Sequence, residues 1–435
     1  MAESNLTRTT IGGVPVVELA REFGTPLYVY DAGVIRQRFS ELAPFDVVRY
    51  AQKACSNVAI LALIRQLGGL VDAVSAGEIH RALAAGYPPA GDPPPIMYTA
   101  DIFDRDALDL VVEHHIHVNC GSRDMIEQLG ERAPGREITL RVNPGFGHGH
   151  SRKTNTGGEL SKHGIWHEEL HEALFEAEHH GLSVVGLHMH IGSGSDFEHL
   201  AQVCQAMEKA ALEAGRNIRW ISAGGGLPIP YREGDARIDL QRYFDLWDAT
   251  RKRLEDRFGH RVRLEVEPGR YIVAEAGFLI TEIRAVKKQA QNIFYLVDAG
   301  FNNLVRPVMY GAYHPLRLAP QDPKLPRLAQ EVIVGGPLCE SGDIFTQEEG
   351  GIVAKRLLPQ AAVGDYIVIE CAGAYGFVMG SNYNSKPYPP EVLVDNGEVK
   401  LIRRRQTYED LFKDEIIPSE ISAPQHSRQI AGGMS

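Results

Sequence analysis

The sequence predicts an α/β protein in which an eight-stranded (β/α)8 barrel is followed by an all-β domain. Eight short apolar runs, many of them rich in β-branched residues, recur between residues 47 and 266. Amphipathic stretches with helical periodicity fill most of the gaps between these runs. After about Phe278 the helical periodicity gives way to further strand-like runs separated by turn residues. Alternating strands and helices form a covered parallel sheet, and eight such units in this length match a TIM barrel.

The eight barrel strands share a short length, and nearly all end in a small or polar cluster. They are predicted at Val47–Ala54, Leu70–Ser75, Ile96–Ala100, Ile116–Asn119, Ile138–Val142, Val184–His190, Ile218–Ala223 and Val262–Val266. The clearest helical patterns between them are Val58–Leu67, Gly77–Ala85, Ala107–His114, Leu200–Ala214 and Tyr243–Phe258. An open doubly wound sheet is the alternative fold. It normally has fewer strands, and its Gly-x-Gly-x-x-Gly fingerprint is missing after the first strand.

The sequence pattern of the second half of the chain predicts a set of β-strands. Its predicted strands are Phe278–Val286, Ile293–Val297, Glu331–Val334, Asp365–Glu370, Glu391–Val394 and Glu398–Arg403. Asn396-Gly397 separates the last two and predicts a hairpin, because these residues tolerate the positive φ angles of a two-residue turn. Thr25–Asp31 is also strand-like and precedes the barrel pattern.

Composition narrows the class of protein. The chain has 435 residues and 44% hydrophobic content, which predicts a large core. Its net charge of −11 predicts that it binds neither nucleic acid nor an anionic membrane. Its five cysteines form no Cys-x-x-Cys pair, so neither a zinc ribbon nor a disulfide framework is expected. The first ten residues lack a signal-peptide pattern, and no apolar stretch is long enough to span a bilayer. These features predict a globular cytoplasmic protein.

Lys53 is the first candidate for chemistry, because barrel enzymes place catalytic groups where strands end. It follows the first strand and is predicted to be buried between that strand and helix Val58–Leu67. Burial lowers the pKa of an amine and makes it a nucleophile towards an aldehyde. The alternative is a structural lysine paired with Asp72 or Glu78.

The sixth strand runs into His188-Met189-His190-Ile191-Gly192-Ser193-Gly194. Strand alternation puts the two histidines on one face, and the glycines let backbone N–H groups approach an anion beside the Ser193 hydroxyl. The alternatives are a zinc pair or ordinary core histidines. No third zinc ligand stands out at a suitable spacing, so no metal is predicted.

The seventh and eighth strands end in Gly224-Gly225-Gly226 and in Glu267-Pro268-Gly269-Arg270. The phosphate sites of many barrels lie in the loops after these two strands, and both motifs suit a phosphate. Taken singly, the first could be only a tight turn, and the second an ion pair between Glu267 and Arg270.

Together these motifs fit pyridoxal 5'-phosphate (PLP). Lys53 would hold it as a Schiff base, while the glycines, Ser193 and Arg270 would hold its phosphate. Glu267 would bind the pyridine nitrogen and keep it protonated, which makes the ring an electron sink.

The chain resembles the diaminopimelate decarboxylase family, within the alanine-racemase-like PLP fold group that includes ornithine decarboxylase. The resemblance runs from about Gly24 to Glu415. It rests on Tyr50-Ala51-Gln52-Lys53-Ala54, His190-Ile191-Gly192-Ser193-Gly194, Gly224-Gly225-Gly226, Glu267-Pro268-Gly269-Arg270, Cys339-Glu340-Ser341-Gly342-Asp343 and Gly373-Ala374-Tyr375. Asn143 to Gly164 is similar to the enterobacterial form.

The resemblance implies decarboxylation of meso-2,6-diaminopimelate at its D-centre, giving L-lysine and CO2 as the last step of lysine biosynthesis. It implies a homodimer with shared active sites and an N-terminal strand that joins the β-domain. The implied catalytic residues are Lys53, Cys339, Glu267 and His190. The implied cofactor-binding residues are Lys53, Asp72, His190, Ser193, Gly225, Gly226, Glu267, Gly269, Arg270 and Tyr375. The implied substrate contacts are Arg270, Arg306, Tyr310, Glu340 and Tyr375.

Other interpretations of some of these residues stay open. Cys339 could be a buried structural thiol, and Tyr310 and Tyr375 could be core aromatics. Arg306 lies among apolar neighbours and needs an anionic partner, for which a substrate carboxylate is one candidate. The acid that protonates Cα could be either Cys339 or Lys53.

The domains are predicted at 31–278 for the barrel and at 1–30 with 279–420 for the β-domain, with a disordered tail at 421–435. Residues 145–164 are predicted to form a mobile lid, because they are rich in glycine and polar residues. Rival activities are racemisation, which Glu267 disfavours, decarboxylation of D-lysine or D-ornithine, and a non-catalytic PLP-binding role.

Overall fold

The computed structural model describes residues 6–147, 157–190 and 196–421. Three strands lie before the barrel: β1 (Thr10–Ile11), β2 (Val14–Pro15) and β3 (Leu27–Asp31). The next nine are β4 (Val47–Ala51), β5 (Leu70–Ala73), β6 (Ile96–Ala100), β7 (His117–Cys120), β8 (Glu137–Asn143), β9 (Ile165–Trp166), β10 (Ser183–His188), β11 (Trp220–Ser222) and β12 (Arg263–Val266). The remaining ten are β13 (Gly277–Gln289), β14 (Asn292–Val297), β15 (Leu316–Ala319), β16 (Ala329–Gly335), β17 (Gln347–Glu348), β18 (Ile352–Val353), β19 (Arg356–Pro359), β20 (Tyr366–Ile369), β21 (Glu391–Asp395) and β22 (Glu398–Arg403).

The helices between the barrel strands cover the barrel, and the others lie before or after it in the chain. They are α1 (Val16–Phe23), α2 (Ala32–Ser40), α3 (Val58–Gln66), α4 (Ala76–Ala84), α5 (Arg105–Glu113), α6 (Arg123–Arg132), α7 (Leu170–His179), α8 (Phe197–Ala214), α9 (Leu240–Phe258), α10 (Arg270–Val273), α11 (Arg306–Tyr310) and α12 (Glu409–Phe412). Among the described residues, no helix is both long enough and apolar enough to cross a membrane.

Eight parallel strands close into a barrel, as predicted. The strand order is β10-β11-β12-β4-β5-β6-β7-β8, and the pairing of β10 with β8 closes the ring. The short strand β9 adds to the rim by pairing with β8. All eight barrel strands lie where the sequence predicts them, and the first ends at Ala51 because Gln52–Ala54 turns into a 3-10 helix.

Side chains after the strand ends start the covering helices. The Asn57 carboxamide oxygen accepts the Ala59 N–H at 3.0 Å, and the Asp104 carboxylate accepts the Ala107 N–H at 2.7 Å. The Ser75 hydroxyl accepts the Glu78 N–H at 3.2 Å. Each cap satisfies a backbone N–H that the first helical turn leaves unpaired, so the chain reverses within a few residues. Because all the barrel strands are parallel, their carboxyl ends lie on one rim.

The second half of the chain forms the predicted β-rich region. Its long strand β13 pairs antiparallel with β14, β20 and β3, and β3 also pairs in parallel with β21. The N-terminal strand therefore belongs to this sheet, as the resemblance implies. The predicted hairpin is confirmed, because Asn396 and Gly397 have φ angles of 51° and 83° between β21 and β22. From residue 422 on, the predicted tail lies outside the described residues.

A buried ion pair ties the barrel together below the rim. Arg49 on β4 and Glu265 on β12 are both 0% exposed, and Arg49 Nη2 lies 3.2 Å from Glu265 Oε2. Arg49 Nη1 also donates to the Pro94 carbonyl at 2.7 Å. Glu265 is two residues before Glu267, so strand alternation directs both carboxylates to the barrel interior.

Candidate active site

A cavity of about 1150 Å³ opens where the barrel strands end. Four residues predicted as site residues line it together: Lys53, Asp72, His190 and Glu267. They come from four different strand ends, so closure of the barrel is what brings them together. Other side chains that line the same cavity are Thr99, Arg141, Lys162 and His188.

Lys53 lines this cavity and is exposed, so the prediction that it is buried is wrong. The difference arises because β4 ends at Ala51 and Lys53 sits in the 3-10 turn Gln52–Ala54. That turn carries the side chain away from the strand and α3 into the cavity. The amine is therefore accessible to a ligand.

Glu267 is held by two hydrogen bonds from neighbouring strands. His188 Nε2 lies 2.8 Å from Glu267 Oε2, and the Ser222 hydroxyl donates to Oε1 at 2.9 Å. Burial alone would raise the pKa of this carboxyl, but His188, Arg49 and Ser222 outweigh it and lower the pKa to about 2. Glu267 is therefore an oriented carboxylate at neutral pH.

Asp72 has the opposite character, although it lies in the same cavity. Burial, followed by the negative charge of Glu267, raises the pKa of Asp72 to about 8, while Lys53 acts in the other direction. Its Oδ1 is buried and has no hydrogen-bond partner among the described residues. Two carboxyl groups whose pKa values are pushed apart in one cleft are typical of active sites.

We expect the Asp72→Asn apoenzyme to lose part of the pH dependence of stability. Between the ordinary carboxyl pKa near 4 and the folded value of about 8, the unfolded chain has released a proton that the folded chain retains. The free energy of unfolding therefore falls as pH rises through this window, and asparagine removes that contribution. Urea unfolding at pH 5 and pH 8 should show a wild-type decrease at least about 1 kcal/mol larger than that of the variant. Equal decreases in the two proteins would contradict the assignment.

His190 is kept neutral by its surroundings. The Gly225 N–H donates to His190 Nδ1 at 2.9 Å, so that nitrogen carries no proton. Burial, followed by the charge of Lys53, lowers the pKa of His190 well below its usual value. A Cβ on residue 225 would lie only 2.5 Å from the Glu267 carbonyl, so this contact requires glycine. Gly226 follows it and completes the loop.

A second group of predicted residues forms an arginine cluster. Arg270 begins α10 directly after Gly269, and its guanidinium lies 4.9 Å from the centre of the Tyr375 ring. The Tyr375 N–H donates to the Ala54 carbonyl at 2.8 Å, which ties this cluster to the turn that carries Lys53. Arg306 and Tyr310 are the first and last residues of α11.

Within the described part of the chain, the arginine cluster has no carboxylate partner. Arg306 is 8% exposed, and burial lowers the pKa of its guanidinium. Among the described residues, no carboxylate forms an ion pair with Arg270 or Arg306, and both donate to the Tyr231 hydroxyl. Buried cations without an anion are costly, so the cluster is suited to bind anionic groups.

Sequence reasoning missed Tyr231, Ser222 and Arg141 as site residues. Arg141 could have been found by the argument used for Arg306, because it lies among apolar residues on β8. For Ser222, the only feature in the sequence that indicates a site residue is its position at the end of a predicted strand. Tyr231 has no local signal, because its partners lie 39 and 75 residues away.

The residues at this rim fit PLP. Glu267, ionised, and His190, neutral, line the cavity and suit a flat, protonated ring, which the absence of a side chain at Gly225 lets approach closely. Arg270, which has no carboxylate partner among the described residues, suits the phosphate. Ser193, also predicted to bind the phosphate, lies outside the described residues.

Cys339 and Glu340 are not brought to this cavity within one chain. Both are exposed, on a turn whose backbone is held by Asp343 through the Leu338 N–H at 2.8 Å. Neither is among the residues that line the cavity around Lys53. The alternative that Cys339 is a buried thiol is therefore wrong.

The predicted lid is only partly described. Asn143 Oδ1 accepts the N–H groups of Gly145 and Gly158 at 3.1 and 3.0 Å, so one side chain holds two separate positions of the predicted lid. Residues 148–156 between them lie outside the described residues. Lid motion stays a prediction.

Comparison with known proteins gives consistent results across almost the whole chain. A family model described as "Pyridoxal-dependent decarboxylase, pyridoxal binding domain" matches residues 34–274. A diaminopimelate decarboxylase of Streptomyces coelicolor is 56% identical over 96% of this chain and 95% of its own. That of Escherichia coli K12 is 53% identical over 94% of this chain and 98% of its own. A crystal structure of a diaminopimelate decarboxylase superposes with a TM-score of 0.90, at 53% identity over 94% of this chain and 98% of that one.

Proposed function

The chain belongs to the diaminopimelate decarboxylase family, and from that premise we propose which residues carry out each part of the reaction. The enzyme is a PLP-dependent carboxy-lyase that converts meso-diaminopimelate to L-lysine and CO2. Decarboxylation of D-lysine or D-ornithine is not favoured, and neither is a non-catalytic role. The observation that carries the assignment of roles is the cavity where Lys53, Glu267 and His190 meet.

Bound PLP supplies an electron sink for the pair left on Cα when CO2 departs. Lys53 Nζ would hold it covalently, with Asp72 beside the amine. Glu267, fixed by His188 and Ser222, would bind the pyridine nitrogen, and neutral His190 would stack on the ring. The phosphate would be bound by Ser193, Gly226, Gly269, Arg270 and Tyr375. Gly225 would contact the cofactor through its neighbour, because its N–H holds the His190 ring.

The substrate has two zwitterionic ends, and the chain offers groups of both signs. Arg306 would bind the far carboxylate, with Arg270, Tyr310 and Tyr375 as further contacts. Glu340 of the partner subunit would bind the far ammonium. A carboxylate for the ammonium and an arginine for the carboxylate form charge-assisted pairs, which distinguish this zwitterionic end from an end that lacks either charge. Lys53 Nζ and the Cys339 thiol are the two candidates for the acid that protonates Cα.

We further propose a cytoplasmic homodimer with the domain division 31–278 and 1–30 with 279–420. Dimerisation would explain why Cys339 and Glu340 are exposed and lie outside the Lys53 cavity. The thiols of all five cysteines are free, as is usual in a reducing compartment.

A mixing experiment tests both the residue roles and the shared site. Lys53→Ala should release little CO2 from meso-diaminopimelate, and Cys339→Ala should do the same if its thiol is the acid that protonates Cα. After co-refolding, half of the dimers are hybrids, and in each hybrid one site lacks both groups while the other has both. Activity should therefore return to roughly a quarter of the wild-type value. A mixture no more active than its components would count against a site built from two subunits. Lys53→Ala co-refolded with itself is the matched control.

A further inference from the structure

We propose that Tyr231 is a substrate-binding residue, which holds Arg270 and Arg306 at a fixed spacing and donates its hydroxyl hydrogen to a carboxylate of the diamino-dicarboxylate substrate. The inference rests on the proposed role of Arg306 and extends it to a residue on another loop. None of the motifs that identify the family includes this tyrosine.

The phenol oxygen is the centre of the arginine cluster. Arg270 Nη1 donates to it at 2.6 Å, and Arg306 Nη1 donates to it at 3.0 Å. One oxygen thus bridges two guanidinium groups, which have like charge and would otherwise repel each other. The hydroxyl therefore sets the separation and the orientation of the two guanidinium groups.

The local backbone fixes the position of Tyr231. It follows Leu227-Pro228-Ile229-Pro230, in which the two aliphatic side chains are buried and the prolines restrict φ. The Asp235 carboxylate accepts the N–H groups of Tyr231 and Arg232 at 3.0 and 2.7 Å. The ring also meets the buried His314 ring edge to face, with 5.6 Å between centres. The phenol is therefore preorganised.

The Tyr231 hydroxyl can still donate one hydrogen bond, which indicates an anionic ligand. Its oxygen accepts two N–H groups, so its own hydrogen remains to be donated. An anion between the arginines would receive two charged donors and one neutral one, which is a strong arrangement for a carboxylate. A phosphate has the same chemistry. Both arginines lie near the Tyr231 ring, at 5.8 and 5.5 Å from its centre, but only Arg270 also lies over Tyr375, which is proposed to bind the phosphate. The Arg306 side of the bridge is the one we assign to substrate.

Tyr231→Phe removes only the hydroxyl group. We expect the KM for meso-diaminopimelate to rise roughly 10- to 100-fold, as for a lost hydrogen bond to a charged group, with kcat within about threefold of wild type. The dissociation constant of PLP, measured by fluorescence quenching of the apoenzyme, should change by less than about threefold. Tyr313→Phe is the matched control, because Tyr313 lies against Arg232 and Arg356, at 4.3 and 4.2 Å, and not in the bridge.

Three results would overturn the inference. One is an unchanged KM in Tyr231→Phe. Another is weakened PLP binding with an unchanged KM at saturating PLP, which would assign the bridge to the phosphate. The third is an equal rise in KM for Tyr313→Phe. If the wild type released no CO2 from meso-diaminopimelate, the proposed function would fail together with this inference. An active wild type with an unaffected variant would overturn this inference alone.

Discussion

Lys53→Ala is expected to lower kcat/KM for CO2 release from meso-diaminopimelate by roughly 10³-fold or more. The amine is the covalent anchor in the proposed reaction and lies in the cavity beside Asp72 and Glu267. Its removal takes away both the attachment point of the cofactor and a candidate proton donor. Noncovalent binding of PLP at the arginine cluster should persist, so the variant should still bind the cofactor, although without a covalent bond.

Two measurements separate a lost anchor from a damaged fold. Borohydride reduction followed by peptide mass analysis should find the cofactor fixed to the Lys53 peptide in wild type and absent from that position in the variant. Lys162→Ala is the matched control, since Lys162 is an exposed lysine that lines the same cavity but has no proposed role in the reaction, and it should keep activity within about tenfold of wild type. Substantial activity in Lys53→Ala, or a label on another lysine of the wild type, would contradict the assignment.

Arg49→Met is expected to destabilise the fold by about 3–5 kcal/mol, because it leaves the Glu265 carboxylate buried without its cation. Both partners are 0% exposed, and the Pro94 carbonyl loses its charged donor as well. Urea unfolding followed by circular dichroism, at one fixed protein concentration, measures the change. The variant is expected to be less stable because water cannot reach the barrel interior to replace the Arg49 guanidinium beside Glu265.

The double variant Arg49→Met/Glu265→Leu sharpens this prediction. Removing both charges leaves no uncompensated ion, so most of the lost stability should return. Arg132→Met breaks the exposed pair with Asp109, whose atoms lie 2.9 Å apart, and should cost no more than about 1 kcal/mol. If the double variant were as unstable as Arg49→Met, packing of the arginine stem would explain the loss better than the buried charge.

The architecture was predictable because its signals are local. The barrel strands are short apolar runs, the polar clusters that follow them mark the rim, and the Asn396-Gly397 turn marks a hairpin. The helices α6 and α7 are not among the clearest helical patterns of the sequence, although both bury apolar residues at helical spacing against the barrel. Short edge strands such as β15 and β19 also went unpredicted, because pairing with distant strands, more than local propensity, determines them.

The sequence by itself determined the barrel, the cofactor class and most of the residues proposed to bind PLP, since these follow from residue types at strand ends. Only the tertiary structure decided how those residues behave. It exposed Lys53 by ending β4 early, and it oriented Glu267 through His188 and Ser222, which are 79 and 45 residues away. It also joined Arg270 and Arg306 through Tyr231. Hydrogen bonds and buried charges depend on distances between residues far apart in the chain, and local patterns carry no information about those distances.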